Sequence, residues 1–156
     1  MQNIRYSITV PVYNEEDVIL KFIESFERSS RPDCECVIVD DSTDETPELI
    51  KSKIKGKKQY KYIHNKKKGR CEARNLAINL ASGFYVFIWN ADVIIPKNFF
   101  NLVDKYAEKK LDVVGFRNEI IEGNSLENYL KLVKKDDAVQ FHQKKLLQDC
   151  IDNILN

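Results

Sequence analysis

Residues 84–92 read Phe-Tyr-Val-Phe-Ile-Trp-Asn-Ala-Asp, and this run limits what the chain can become more than any other. Six bulky apolar or aromatic residues follow one another and stop at a polar triplet. The run is too short to cross a membrane, and its β-branched and aromatic content suits a strand buried on both faces. Such a strand belongs to a sheet covered by helices on both sides. It ends in Asn90-Ala91-Asp92, so Asp92 falls at the carboxyl edge of that sheet, where ligands bind in open α/β architectures.

The rest of the chain alternates in the manner such a sheet requires. Residues 4–10, 34–39, 60–64 and 111–116 have strand character. Between them lie amphipathic helices. Val18, Ile19, Phe22, Ile23 and Phe26 form one stripe, with Asn14 placed to cap that helix. Thr46-Pro47-Glu48 is a helix start that should fade near Gly56. Ala73, Leu76, Ala77, Leu80 and Ala81 fall at helical spacing, and Pro96 opens a helix bearing Phe99, Leu102, Val103 and Tyr106. Short connections between alternating strands and helices predict an α/β fold with a mainly parallel sheet and right-handed crossovers. After Gly123-Asn124 the pattern changes to two amphipathic helices, 126–133 and 138–155. Residues 1–122 are thus expected to form the core. Residues 123–156 are a helical extension of the same domain, able to cap the sheet, form an arm or meet a second copy.

Composition adds boundaries. At 156 residues, 43% hydrophobic and 31% charged, the chain suits one ordinary globular domain and not a disordered one. The net charge of +1 is uninformative, but acids dominate from Pro11 to Ile50, and every charged residue from Lys51 to Arg70 is a lysine or arginine. This predicts a basic lip beside an acidic pocket, or a solvated connector, or, less well supported, a nucleic-acid patch. Cys34, Cys36, Cys71 and Cys150 lack zinc-ligand spacing, and Cys34 and Cys36 read as small thiols on one buried strand face. No signal peptide or apolar span is apparent, so the expectation is a reduced, cytoplasmic setting, with peripheral membrane contact open.

Three strand ends then converge on one edge: Pro11-Val12-Tyr13-Asn14-Glu15, Asp40-Asp41 and Asn90-Ala91-Asp92. Asp40, Asp41 and Asp92 would repel one another without a cation among them. Hard oxygen donors few in number suit Mg²⁺ or Mn²⁺ completed by substrate phosphates. Tyr13 offers a face on which a base can stack, and Asp40 can accept an imide N–H, which selects uracil or guanine. The loop 66–74 faces the same edge and can neutralise phosphates. Strand-end aspartates also serve simply as helix caps, and Arg74 could be a solvated charge; the conjunction of three strand ends favours a site.

With these residues in view, the chain resembles the family 2 glycosyltransferases of GT-A, Rossmann-like fold. The likeness is carried by Pro11-Val12-Tyr13-Asn14-Glu15, Val39-Asp40-Asp41-Ser42-Thr43-Asp44-Glu45-Thr46, Gly69 with Ala73-Arg74-Asn75, and Asn90-Ala91-Asp92, in order, over about the first 120 residues. The resemblance implies inverting transfer of a sugar from a nucleoside diphosphate, of UDP or GDP type, to an acceptor hydroxyl. It implies that Pro11, Tyr13, Glu15 and Asp40 line the base. It also implies that Asn90-Ala91-Asp92 is the metal-binding D-x-D, with Asp92 the ligand for Mn²⁺ or Mg²⁺. Val114-Gly115-Phe116-Arg117 is similar to the Gly-x-Arg of polyprenyl-phosphate mannose synthases, where the arginine meets phosphates. Asn90 departs from D-x-D and removes one negative charge.

Inverting transfer needs a general base near the acceptor oxygen. Asp136 and Asp137 are the only adjacent acidic pair after Asp92, although a solvated helix start explains them better. The acceptor is expected to be lipid-linked or otherwise anionic, drawn by the basic lip. The alternative reading is a non-catalytic nucleotide-sugar-binding or interaction module on the same fold.

Overall fold

A computed structural model describes residues 3–65 and 69–107, together with the backbone of 142–143. The described elements are β1 (Tyr6–Val12), α1 (Ile19–Ser29), β2 (Cys34–Asp40), α2 (Thr46–Ile54), β3 (Tyr60–His64), α3 (Arg70–Leu80), β4 (Tyr85–Ile88), α4 (Phe99–Ala107) and β5 (His142–Gln143). The sheet order is β3-β2-β1-β4-β5. The first four strands are parallel, and β5 runs antiparallel to β4. The expected α/β fold with a mainly parallel sheet is therefore present. The expected strand at 111–116 and helix at 126–133 lie outside the described residues. The helix expected over 138–155 is corrected at His142–Gln143, which pair with Val86 and Tyr85. The amphipathic spacing of that segment is local; the open edge of β4 needs hydrogen-bond partners, and a strand supplies them.

The strand parity sorts the core into two layers. Tyr6, Ile8, Val10 and Val12 of β1 and Cys34, Cys36 and Ile38 of β2 face α1, α2 and α4, meeting Phe22, Phe26, Ile50, Phe99 and Phe100. Val37, Val39 and Val86 face α3, meeting Ala73, Ala77 and Ile78. The buried, free thiols of Cys34 and Cys36 are part of the first layer, and burial pushes the Cys34 thiol up to about 12.

At the C-terminal end of α3 the packing is polar. Ser7 Oγ donates to Glu35 Oε1 (2.7 Å), Ser82 N–H donates to the same oxygen (2.5 Å), and Lys61 pairs with Oε2 at 3.0 Å. Burial raises the Glu35 carboxyl, but these donors outweigh it and leave it below its ordinary range. Gly83 N–H donates to Ser7 Oγ (2.8 Å), and a Cβ on Gly83 would stand 2.6 Å from Ser7 N. The turn into β4 thus needs glycine for close approach.

Order 3-2-1-4 reverses at β1, whose two neighbours are β2 and β4. In open sheets the crevice at such a reversal, beyond the carboxyl ends of the strands, is where ligands are received. Asp41 N–H donates to Val12 O (2.9 Å), and Trp89 N–H donates to Thr9 O (2.9 Å). The residues that follow all three strands are thereby held side by side.

Candidate nucleotide-binding site

A cleft of about 580 Å³ opens at this reversal, lined from β1 by Pro11, Val12, Tyr13 and Glu15. Asp41 and Thr43 come from the end of β2, Gly69, Arg70 and Ala73 from the start of α3, and Asn90, Ala91 and Asp92 from the end of β4. The loop after β1 turns through Asn14, which adopts a left-handed φ of 52°. Asn14 was expected to cap α1. Instead its Oδ1 accepts from Thr43 N–H (2.9 Å) and its own N–H donates to Ser42 Oγ (2.8 Å), tying the β1 and β2 loops together. That turn leaves Tyr13 61% exposed on the cleft wall, as an aromatic face free to stack.

Of the expected site residues, Pro11, Tyr13, Glu15, Asp41, Asn90 and Asp92 share this cleft. Asp40 does not. It is fully buried, with Oδ2 accepting from the Tyr62 hydroxyl (2.7 Å) and Oδ1 from Ser42 N–H (2.8 Å). Parity explains this: Asp40 continues the inward face of Cys34, Cys36 and Ile38. Asp41 has the features expected of Asp40. Its Oδ2 accepts from Gly69 N–H (2.8 Å), while Oδ1 is buried with no hydrogen-bond partner among the described residues. Asn65 Nδ2, just beyond β3, is likewise buried without a partner among them, and its backbone N–H donates to Asp40 O (2.8 Å). Arg74 stands behind the wall, donating to Asn90 Oδ1 at 3.2 Å. Arg117, Asp136 and Asp137 lie outside the described residues. Within the loop 66–74 expected to neutralise phosphates, Arg70, not singled out in the sequence, is the cation on the cleft wall. Its signal was its position next to Gly69, at the first turn of a strongly periodic helix.

The Glu15 carboxyl is raised, first by burial and then by the nearby Asp92 charge, with Arg70 opposing. Two acids therefore share the mouth of the cleft, and a cation between them would relieve the repulsion. Among the described residues no group of three or more His, Cys, Asp or Glu side chains is disposed to hold an ion alone. One or two carboxylates completed by phosphate oxygens and water are what Mg²⁺ or Mn²⁺ accept.

The expected basic lip is partly neutralised along 51–61, and residues 66–68 lie outside the described residues. Lys51 pairs with Glu48, Lys53 with Glu24, Lys57 with Glu27 and Lys61 with Glu35. Four of the six lysines of 51–61 thus pair with acids on α1, α2 and β2, which lowers the free charge of that stretch.

Fold and cleft together define an α/β protein with an open cleft at the topological reversal. The sequence matches the model of Glycosyl transferase family 2 over residues 7–155, and the chain belongs to that family. It is 33% identical over 111 residues to an uncharacterized glycosyltransferase, EpsJ, of Bacillus subtilis, covering 70% of this chain and 32% of that protein. It is 30% identical over 127 residues to a chondroitin synthase of Escherichia coli, covering 78% and 18%. The fold matches that of S. aureus TarS residues 1–349 in complex with UDP-GlcNAc, with a TM-score of 0.75 at 22% identity, covering 94% of this chain and 47% of that one. The chain thus spans less than half the length of these relatives. Among the described residues no helix is long and apolar enough to cross a membrane.

Proposed function

We propose that this chain binds a uridine-type nucleoside diphosphate sugar and serves inverting transfer of the sugar to an acceptor hydroxyl, assisted by Mn²⁺ or Mg²⁺. The observation that carries the reading is the half-satisfied carboxylate of Asp41, buried in the cleft beside the exposed ring of Tyr13. A buried acceptor without a partner is costly unless a ligand donor completes it. With Oδ2 occupied by Gly69, Asp41 has one oxygen to offer. That suits the single N3–H of uracil better than guanine, whose N1–H and N2–H would engage both oxygens. Asn65 Nδ2 supplies a donor on the same edge, the complement of a base carbonyl. Structural likeness to a protein crystallised with UDP-GlcNAc agrees with this choice of donor.

In this reading Tyr13 stacks on the base, Asp41 orients it, and Pro11 and Val12 form the apolar floor. Glu15 borders the mouth, and Arg70 neutralises phosphate oxygens. Asp92, with Glu15 near it, would hold the divalent ion, whose chemistry is to offset charge on the departing diphosphate. The acceptor expectation, an anionic or lipid-linked hydroxyl, rests on Arg70 and on Lys66, Lys67 and Lys68 in the sequence; Arg117 remains a phosphate candidate and Asp136 and Asp137 base candidates on sequence alone.

The test is a thermal-shift panel of nucleotides with and without Mn²⁺. UDP with Mn²⁺ should raise the melting temperature most, and Asp92→Ala should abolish the metal-dependent increment while leaving the metal-free one. An unchanged melting temperature across the whole panel would sink the reading. The second reading, a non-catalytic binder, draws on the departure of Asn90 from the acidic motif. Saturable UDP-sugar binding without release of UDP, across a range of acceptors, would favour it.

A further inference from the structure

Asn90 is exposed on the cleft wall, and its side-chain oxygen accepts from Arg74 Nη2 at 3.2 Å. A guanidinium carries only donors, so this contact dictates which way the amide is turned. The oxygen faces Arg74, and the NH₂ group is left over. Among the described residues, Arg74 Nε is buried with no acceptor and no carboxylate lies within ion-pair distance of Arg74. A carboxylate at position 90 would accept the same hydrogen bond and cancel the charge of Arg74. An amide accepts the bond and leaves the charge whole. The distinction matters in a cleft that places Glu15, Asp41 and Asp92 against Arg70, because a diphosphate brings further negative charge to it.

Resting on the nucleotide reading above, we infer that Arg74 and Asn90 form a phosphate-holding pair. Asn90 offers an N–H donor and Arg74 an uncancelled positive charge, so the chain retains a nucleoside diphosphate with less dependence on divalent metal than a carboxylate at position 90 would allow. Asn90 is thus a specificity-determining residue for how the diphosphate is neutralised, and Arg74 is the positioning residue that sets its amide.

Isothermal titration of the full chain with UDP and with uridine, each in Mn²⁺ and in EDTA, tests this. Wild type should bind UDP in EDTA within about tenfold of its affinity in Mn²⁺. Asn90→Asp, close to isosteric, should weaken UDP binding in EDTA by about a further tenfold and regain it in Mn²⁺. Arg74→Gln, which keeps a donor but no charge, should show the same loss in EDTA. Uridine has no phosphate and should bind wild type and Asn90→Asp alike in either buffer. UDP binding by wild type only in Mn²⁺, equal UDP binding by wild type and Asn90→Asp in EDTA, or a parallel fall in uridine binding would each overturn the inference while leaving the nucleotide reading intact. Failure of both ligands to bind in every buffer would remove the nucleotide reading itself, and this inference with it.

Discussion

Asp40 and Asp41 are adjacent in sequence and have opposite fates. Asp40 is the last residue of β2 and keeps the inward parity of Ile38, so its carboxylate is consumed by Tyr62 and Ser42. Burial and the Asp40 carboxylate hold the Tyr62 phenol well above its ordinary value, consistent with a hydroxyl that only donates. Asp41 lies one residue beyond the strand and turns into the cleft with one oxygen unpaired. Different losses follow. Asp41→Ala should weaken UDP by roughly ten- to a hundredfold in calorimetry, the worth of a hydrogen bond to a charged group, with little change in melting temperature. Asp40→Ala should instead cost about 1–3 kcal/mol of stability in chemical denaturation, because it strands buried donors. If Asp40→Ala proved as stable as wild type and lost nucleotide binding, the assignment of roles would be reversed. The alternation of Cys34, Cys36 and Ile38 was visible in the sequence and could have assigned Asp40 inward. That Gly69, 28 residues on, occupies one oxygen of Asp41 was not.

At the scale of elements, α3 packs on an apolar layer and is tied down at its C-terminal end by polar contacts. Glu35 gathers Ser7, Lys61 and Ser82, and Gly83 lies against the backbone of β1. These contacts fix the C-terminal end of the helix that carries Arg70 and Arg74. Gly83→Ala should destabilise the fold by about 1–3 kcal/mol, the range for overpacking, because the obstructing atoms include backbone that cannot rotate away. Urea denaturation measures it, and a neutral result would show that the turn has room to shift. The periodicity of α3 was legible from Ala73 and Ala77. The polar contacts at its C-terminal end were not, because Ser7, Glu35 and Ser82 become partners only once three strands are side by side.

Over the whole molecule, the edge opposite the cleft is closed by a charged clamp. Arg31 joins Asp33 and Asp104 (3.1 and 2.6 Å), Arg5 approaches Asp104 (3.3 Å), and the Tyr6 hydroxyl donates to Asp104 Oδ1 (2.6 Å). The guanidinium of Arg31 also lies over the rings of Tyr6 and Phe100. Burial raises the Asp104 carboxyl, but the hydrogen bonds from Arg31 and Tyr6, with the charges of Arg31 and Arg5, outweigh it and hold it below its ordinary 3.8. A folded-state value below the unfolded one gives stability that is complete above the unfolded value and disappears as pH falls through the folded one. The melting temperature should therefore decline more steeply below about pH 4 in wild type than in Asp104→Asn, which lacks the titrating group. Parallel acid profiles would show that the clamp adds no net stability.

The sequence by itself determined the alternation of strands and helices, the parallel sheet, and the meeting of the ends of β1, β2 and β4 at its carboxyl edge, but it assigned the base contact to Asp40 and not to Asp41. Those follow from periodicity and chain direction, which are properties of short segments. Only the tertiary structure decided which polar atoms remain unpaired. It turned Asp40 inward, drew four of the six lysines of 51–61 onto acids, made Asn14 a tie between loops and joined Arg74 to Asn90. A hydrogen bond satisfied by a distant segment leaves no mark on local spacing, and the free atoms of a binding site are those that no such segment reaches.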